Sequence, residues 1–416
     1  NQEWAGYGQV SYKITDDIKL TGDLRYTWDS KNGAEEERLL LFGAGIPAFD
    51  ALYGGAVPVF DITPGEVCLS GNAKNCNGGP LGPGVKSMGI INALGVAVRQ
   101  DSATSNAVTG GAKIEWTPNP STFLYASYNR GYAPLSFNAG FVSANTLVAP
   151  ESLNAYEIGY KETFGSQLAV QAAAFYYDYD NIQTPISVSV GGILEGQFIN
   201  IPKAESEGIE LEGVWTPTHD LIFTLSYSYD YTAFLTGCSG AIVGGVLTPA
   251  PGTACVVNTQ DPLGTGPGAK VVPGQVGANL DQSIKGNPIP EAPRNKIALS
   301  GAYTFHFDAG NLTLSAVYAW RDSQGGSLFN TPYNTAPSWW DVDLRAIWSG
   351  DHDRYEVIGF IKNVGNTVQY QSGPASAGIL GTATSATTNA KGLDYVESEG
   401  LNPPRTFGVE VRYKFF

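Results

Sequence analysis

Two carboxylates, Glu210 and Glu212, stand two residues apart in Glu207-Gly208-Ile209-Glu210-Leu211-Glu212. On a strand such a pair shares one face, where a general acid and a general base would have to meet. The same spacing suits a wall of cross-strand ion pairs, and nothing beside it supplies a nucleophile. The three histidines, His219, His306 and His352, fall singly at predicted strand ends or turns, so no nucleophile–His–acid set can be assembled. Asp351-His352-Asp353 carries metal-ligating atoms, yet it reads first as a solvated turn. No Gly-rich phosphate cradle follows a strand and opens a helix. The sequence therefore predicts no catalytic residue, no metal site and no cofactor.

The cysteines form two close pairs, Cys68 with Cys76 and Cys238 with Cys255, each inside a Gly/Asn/Pro-rich stretch. Three connectivities are open. Local pairing is favoured because it closes short loops, and zinc is disfavoured because no His lies near either pair. Disulfides would put the chain in an oxidising compartment, periplasm or cell exterior.

The elements that must position these residues are strands. In 416 residues there are 51 Gly, 22 Tyr, 18 Phe and 8 Trp but one Met, a composition poor in helix formers and rich in aromatics and turn formers. A formal net charge of −15 excludes nucleic-acid backbone binding, which needs a Lys/Arg surplus. The longest uncharged run, 231–260, is long enough for a membrane helix but is broken by Gly237, Gly240, Gly244, Gly245, Pro249, Pro251 and Gly252, and reads as a loop. No signal peptide opens the chain, since Asn1 leads at once into strand-like Glu3-Trp4-Ala5-Gly6-Tyr7; a preceding segment is expected.

Period-2 alternation dominates. Ile18, Leu20, Gly22, Leu24, Tyr26 and Trp28 alternate with Lys19, Thr21, Asp23, Arg25, Thr27 and Asp29, and Phe407, Val409, Val411, Tyr413 and Phe415 alternate with Glu410, Arg412 and Lys414. The segments run about 10 to 14 residues, the reach of a tilted membrane-crossing strand rather than of a soluble one. Their apolar faces end in Tyr and Trp, which suit a lipid headgroup boundary. Thirteen strands are predicted, at about 3–13, 18–29, 106–116, 122–132, 153–163, 167–179, 204–216, 220–232, 294–306, 311–322, 338–349, 354–363 and 404–416. Short turns alternate with long loops near 31–104, 234–291 and 364–402, as periplasmic turns alternate with extracellular loops. The fold class is all-β, a transmembrane antiparallel β-barrel in which 1–416 form one C-terminal part. Asn1 then lies on the extracellular side, and the unpaired sheet edges call for further strands.

The chain resembles the C-terminal portion of a TonB-dependent receptor over essentially its whole length. The resemblance rests on Tyr125-Ala126-Ser127-Tyr128-Asn129-Arg130-Gly131-Tyr132, on Pro150-Glu151-Ser152-Leu153-Asn154-Ala155-Tyr156-Glu157-Ile158-Gly159-Tyr160-Lys161 and on Ala174-Phe175-Tyr176-Tyr177-Asp178-Tyr179-Asp180-Asn181-Ile182-Gln183. It rests also on Glu207-Gly208-Ile209-Glu210-Leu211-Glu212, Lys362-Asn363-Val364-Gly365-Asn366 and Pro403-Pro404-Arg405-Thr406-Phe407-Gly408-Val409. It implies an about 22-stranded bacterial outer-membrane barrel filled by an N-terminal plug. It also implies energy from the inner-membrane TonB-ExbB-ExbD complex, surroundings of lipid and lipopolysaccharide, and room for an accessory lipoprotein. The plug and first strands would lie on a segment outside this chain, either cleaved from it at an extracellular loop tip or removed by truncation. A barrel-assembly signal is expected in Tyr413, Phe415 and Phe416, with Phe415 in step with the lipid-facing set.

The resemblance further implies import of a scarce nutrient, a ferric siderophore or similar iron chelate first, with a carbohydrate, cobalamin or another bulky nutrient as the alternative. A passive porin or an adhesive surface barrel is the competing class, separated by whether a plug and an energy-coupling box exist. Ligand contacts are expected in the extracellular vestibule from Tyr132, Phe137, Trp320, Arg321, Phe329, Tyr333, Trp339 and Tyr370, aromatics and an Arg near upper strand ends. The charges Asp23, Arg25, Lys113, Glu115, Glu157, Lys161, Glu210, Glu212, Asp341, Asp343, Arg345, Glu410 and Arg412 are expected on the lumen side.

Overall fold

In the computed structural model the described residues are 1–36, 40–42, 59–61, 86–91, 97–138, 147–190, 193–277, 279–350, 354–370, 377–379, 395–397 and 400–415. Thirteen long strands follow one another in an antiparallel path: β1 (Gln2–Lys13), β2 (Ile18–Glu36), β3 (Ala97–Asn119), β4 (Thr122–Ala133), β5 (Glu151–Phe164), β6 (Leu168–Val190), β7 (Ile193–Thr218), β8 (Leu221–Phe234), β9 (Asn295–Phe307), β10 (Gly310–Arg321), β11 (Trp339–Gly350), β12 (Tyr355–Lys362) and β13 (Thr406–Tyr413). Each pairs with its sequence neighbours, so every predicted strand is present and in the predicted order. Lys86–Ile91 adds a short strand to the upper part of β3. No helix among the described residues is long and apolar enough to cross a membrane.

The register sorts the side chains into two faces. On the outer face Trp4 lies opposite Trp28, Tyr128 opposite Tyr156, Tyr156 opposite Tyr176, Trp320 opposite Trp340, and Tyr355 opposite Tyr413. Between these aromatic rows run aliphatic ones, such as Leu225 with Leu299 and Ala316 with Leu344. From Trp340 to Trp348 along β11 is about 26 Å at a strand rise of about 3.3 Å per residue, the scale of a bilayer's apolar band. The outer residues are also the exposed ones, Leu24, Ile158, Leu344 and Val409 among them. A soluble sheet would bury such rows, and their extent and aromatic borders suit a lipid solvent.

The inner face carries the predicted charges, and it is close-packed where an aromatic lies across from a glycine. Tyr125 is the direct partner of Gly159, Phe175 of Gly208 and Phe360 of Gly408, and in each pair the ring occupies the space a Cβ would need. Phe223 and Gly301 make the same fit on the outer face.

Connections at one rim are tight. At the other rim the strands overrun the bilayer, and the β6–β7 hairpin continues to Val190 and Ile193. A membrane crossing takes only about ten residues of a tilted strand, so roughly half of this hairpin stands clear of it. Against it packs a cap formed by 235–291, with the hairpins Gly240–Val243/Val246–Pro249 and Cys255–Val257/Asp281–Ser283. The cap core joins Ile182, Ile201, Ala204 and Phe234 of the strands to Ala254, Val256, Ile284 and Leu328. Cys238 and Cys255 form the predicted disulfide, which flanks this core. Cys68 and Cys76 lie outside the described residues, as do His352 and Phe416. Tyr413 packs edge-on against Phe415 at 5.0 Å, and Phe415 is 79% exposed on the outer side.

Replacing Cys238 and Cys255 together by Ala removes a cross-link spanning 17 residues; this should cost the cap about 3 kcal/mol while leaving the barrel strands intact. Hydrogen exchange should show protection lost in 235–291 only. Burial pushes the Asp281 carboxyl above the usual carboxylate range, so the folded cap penalises its charged form and cap stability falls as pH rises through that raised value. Asp281→Asn should therefore stabilise the cap near pH 7, with the gain over wild type closing as pH falls below about 4; cap melting followed across pH gives the comparison.

Candidate functional site

The inner wall is a laterally bonded network rather than a set of free charges. Glu115 on β3 accepts from Lys19 of β2 at 2.5 Å and from Lys113 at 3.0 Å. The Lys113 ammonium also lies 4.9 Å from the centre of the Tyr125 ring. The Tyr125 hydroxyl donates to Glu157 of β5 at 2.5 Å. Further round, Gln171 donates to Glu212, Ser206 to Asp230, and Arg412 pairs with Glu410. Glu212 is thus engaged by an amide and Glu210 faces Ser228 of β8, an arrangement of wall contacts with no nucleophile in it. Between β1 and β5 this wall encloses an open hollow of about 360 Å³, lined by Gln9, Asp23, Asn129 and Lys161 as well as the Lys113–Tyr125–Glu157 chain.

Nearer the long-loop rim the strand ends converge. Arg321 closes β10, is 8% exposed, and donates to the Tyr370 carbonyl at 2.6 Å and the Asp322 carbonyl at 3.3 Å. Its guanidinium lies 5.6 Å from the Trp339 ring centre, because Arg321 and Trp339 are direct partners across β10 and β11. Tyr370 is held there by an isolated bridge to Leu401. Around this cluster three buried polar atoms lack a partner among the described residues: Trp339 Nε1, Asp341 Oδ1 and Gln369 Nε2. Leaving such atoms unsatisfied costs about 1–3 kcal/mol each, a cost that a ligand supplying complementary groups would remove.

The segment 362–370 is placed by its own hydrogen bonds. Asn363 and Asn366 both take left-handed φ, +49° each, which Asn tolerates better than most residues. Asn363 N donates to Asp343 Oδ1 at 2.8 Å, its side chain brackets Thr367, and Thr367 Oγ1 donates to the Trp340 carbonyl. Asn366 accepts from Arg405 N at the entry to β13. Lys362-Asn363-Val364-Gly365-Asn366 is therefore a clasp joining β11, β12 and β13, and it delivers Gln369 and Tyr370 to Arg321.

The other predicted contacts fall elsewhere. The Tyr132 hydroxyl lies 2.6 Å from Ser105 Oγ and 3.3 Å from Asp29 Oδ2, bridging the gap that opens above Gly110 where β3 and β4 stop pairing. Phe137 sits in the two-residue strand Ser136–Phe137. Phe329 packs against the cap core. Tyr333 lies in the 3-10 turn Pro332–Asn334, and its side chain is outside the described set. Trp320 needs correction: the register pairs it with Ile297 and Trp340 on the outer face, turned away from Arg321. Its alternation with Tyr318 already carried that signal.

Sequence reasoning named Asp341 only as a lumen-side charge and did not single out Gln369; the place of Asp341 in this cluster was legible, being two residues beyond Trp339 on one face. The expectation of isolated histidines also fails. His219 and His306 meet at Asp220 on the short-turn rim, at 3.0 and 2.7 Å.

A family model for the TonB dependent receptor-like β-barrel matches residues 1–369. The chain superposes on the ferric yersiniabactin uptake receptor FyuA from Yersinia pestis with a TM-score of 0.60 and 15% identity, over 100% of this chain and 46% of that one. It superposes on the copper transporter OprC with a TM-score of 0.56 and 12% identity, over 99% and 49% of the two chains. With the closed form of the ferric-catecholate import receptor Fiu from E. coli K12 the values are 0.53 and 16%, over 98% and 44%. At these identities the likeness is one of fold, and the chain spans about half the length of these receptors. No curated protein sequence matches it.

The aromatic–glycine fit is testable. A methyl at Gly159 would collide with the Tyr125 ring, which its bond to Glu157 holds in place. Gly159→Ala should cost about 1–3 kcal/mol, read as a lower unfolding temperature of the detergent-solubilised barrel. Truncating Tyr125 to Ala in the same chain should make the glycine change nearly neutral; additive losses would show that the ring does not occupy that space.

Proposed function

Because the chain belongs to the TonB-dependent receptor family, whose barrels are outer-membrane transport proteins rather than enzymes, we propose that it forms the C-terminal wall of an energised importer. A plug segment outside residues 1–416 fills the lumen, and the TonB-ExbB-ExbD complex draws on that plug from the periplasm. The observation that carries this reading is the contrast within the inner face. Lower-wall charges such as Lys19, Lys113 and Glu115 are paired to one another, a fixed pattern of donors and acceptors for a plug to meet. The upper cluster keeps Trp339 Nε1, Asp341 Oδ1 and Gln369 Nε2 without a partner among the described residues, with the Trp339 ring against Arg321.

The cargo we propose is a ferric siderophore or similar iron chelate. A chelate of this kind carries carboxylate, catecholate or hydroxamate oxygens on a bulky frame. Arg321 supplies a buried cation with N–H groups toward such oxygens, and Trp339 and the Tyr370 segment supply flat apolar surface. Several structural neighbours bear iron-chelate receptor names, which supports the class without selecting a chelator.

Cells carrying the intact gene should take up radiolabelled iron chelate under iron starvation, and should lose that uptake when the gene is deleted or the energising complex is disabled. Arg321→Ala and Trp339→Ala should each weaken chelate binding by about 10- to 100-fold, or about 1.4–2.8 kcal/mol, with the receptor still folded in the outer membrane. Iron uptake that is unchanged in the deletion strain rejects the cargo. Uptake that survives loss of the energising complex rejects the mechanism and favours a passive pore.

A further inference from the structure

The short-turn rim carries a cluster that import does not use. His219 and Asp220 form the turn between β7 and β8, and His306 is the penultimate residue of β9. In sequence His219 and His306 are separated by β8 and the whole cap. In space the backbone closes the gap: Leu221 is the direct partner of Tyr303, and Thr304 N donates to the Asp220 carbonyl at 2.9 Å. Asp220 is thus positioned by its main chain, and its carboxylate is left to its neighbours. His306 Nε2 lies 2.7 Å and His219 Nδ1 3.0 Å from Asp220 Oδ1. All three atoms lie within 4.8 Å of one another.

The second ring nitrogen of His306 completes the picture. Its Nδ1 lies 2.7 Å from Asn311 Oδ1, and Asn311 is the residue directly across from His306 in the β9–β10 pair. An imidazole that donates Nδ1–H to a fixed oxygen presents its Nε2 lone pair on the other side, the tautomer a metal requires. Here Nε2 faces the Asp220 carboxylate oxygen at 2.7 Å. The positive centre between the two is a proton on the imidazolium unless a metal ion takes its place.

We propose that His219 Nδ1, Asp220 Oδ1 and His306 Nε2 bind a divalent transition metal of the zinc class, which staples the β7–β8 turn to the end of β9. Two imidazole nitrogens and one carboxylate oxygen suit zinc over calcium or magnesium, which take oxygen cages. Zinc–ligand bonds of about 2.0 Å put tetrahedral ligand atoms about 3.3 Å apart, between the observed contacts and their 4.8 Å limit. The rearrangement is small, because the His219 side chain is 95% exposed and free to turn. Three protein ligands leave one position for water. The site lies at the opposite rim from Arg321, so its ion is a structural clip and not cargo, and the assignment stands whatever the transported nutrient proves to be.

The test uses the receptor extracted from the outer membrane in detergent, stripped with a chelator, and titrated with Zn²⁺ by calorimetry and Co²⁺ by visible absorption. Wild type should bind one metal more than His306→Gln or Asp220→Asn, with an imidazole-type Co²⁺ spectrum absent from both variants. Asn311→Ala, which removes only the orienting partner, should weaken that site about tenfold. His219→Ala, a change at an exposed turn residue that leaves the fold alone, should remove the rise in unfolding temperature that Zn²⁺ gives wild type. Equal stoichiometry and spectra in wild type, His306→Gln and Asp220→Asn overturn the proposal, and so does a Zn²⁺ stabilisation that persists in His219→Ala.

Discussion

Inside a bilayer no water is available to a backbone N–H or C=O, so each strand must find a partner on both sides. This one constraint dictates the rest of the structure. It forces neighbour-to-neighbour antiparallel pairing, since the tight turns at one rim allow nothing else, and it forces strict alternation between a lipid-facing and a lumen-facing residue. It also bears on the two ends of the path. Among the described residues β1 pairs only with β2, and β13 only with β12. Thirteen antiparallel strands leave these outer two running in the same direction. Closure without a parallel seam therefore takes an odd number of further strands, which suits a companion segment contributing the remainder of the barrel.

A wall one residue thick has no core in the ordinary sense, so side-chain packing has to occur along its surfaces. The aromatic–glycine pairs are the solution adopted here. A ring lying flat over the opposite glycine covers backbone that would otherwise be bare and fixes the strand register at that point. Several of the short sequence patterns that carry the resemblance acquire a physical meaning this way. The glycine of Glu157-Ile158-Gly159-Tyr160 receives Tyr125, and the glycine of Glu207-Gly208-Ile209 receives Phe175. Those motifs specify the wall and not the cargo, which is why a family resemblance so clear in the strands leaves the ligand open.

The legibility of the sequence follows from the same physics. All thirteen strands could be read because lipid on one side and a polar lumen on the other give a period-2 contrast that persists for ten residues or more. Their upper ends were underestimated, as in β2, β3, β6 and β7, because above the bilayer both faces meet water or the cap and the contrast fades. The pairing of Cys238 with Cys255 was legible from loop length; the cap around it was not, since its core joins Ile182 and Ile201 of the β6–β7 hairpin to Phe234 at the end of β8 and Leu328 beyond β10. Trp320 was misassigned by its proximity to Arg321, although its own alternation put it outside. The histidine cluster was missed for a reason of topology. A reader who assigns each turn to a rim can see that His219 and His306 share one, but their approach depends on the register of β8 with β9 across a long insertion.

The cap and the upper cluster are mechanically one unit. Leu328 lies in the cap core, its carbonyl accepts from Asn287 of the cap, and Gly325 accepts from Glu291 N where the cap returns to β9. The chain carrying Leu328 leaves β10 directly after Arg321 and re-enters the wall at Trp339. The spacing between the Arg321 guanidinium and the Trp339 ring is therefore set from two sides, by the β10–β11 ladder below and by the cap above. A ligand that wedges Arg321 from Trp339 would have to work against both. Preorganised walls of this kind lower the entropic cost of binding, and under the proposed import reading the movement that admits a solute falls to the elements facing the wall rather than to the wall itself.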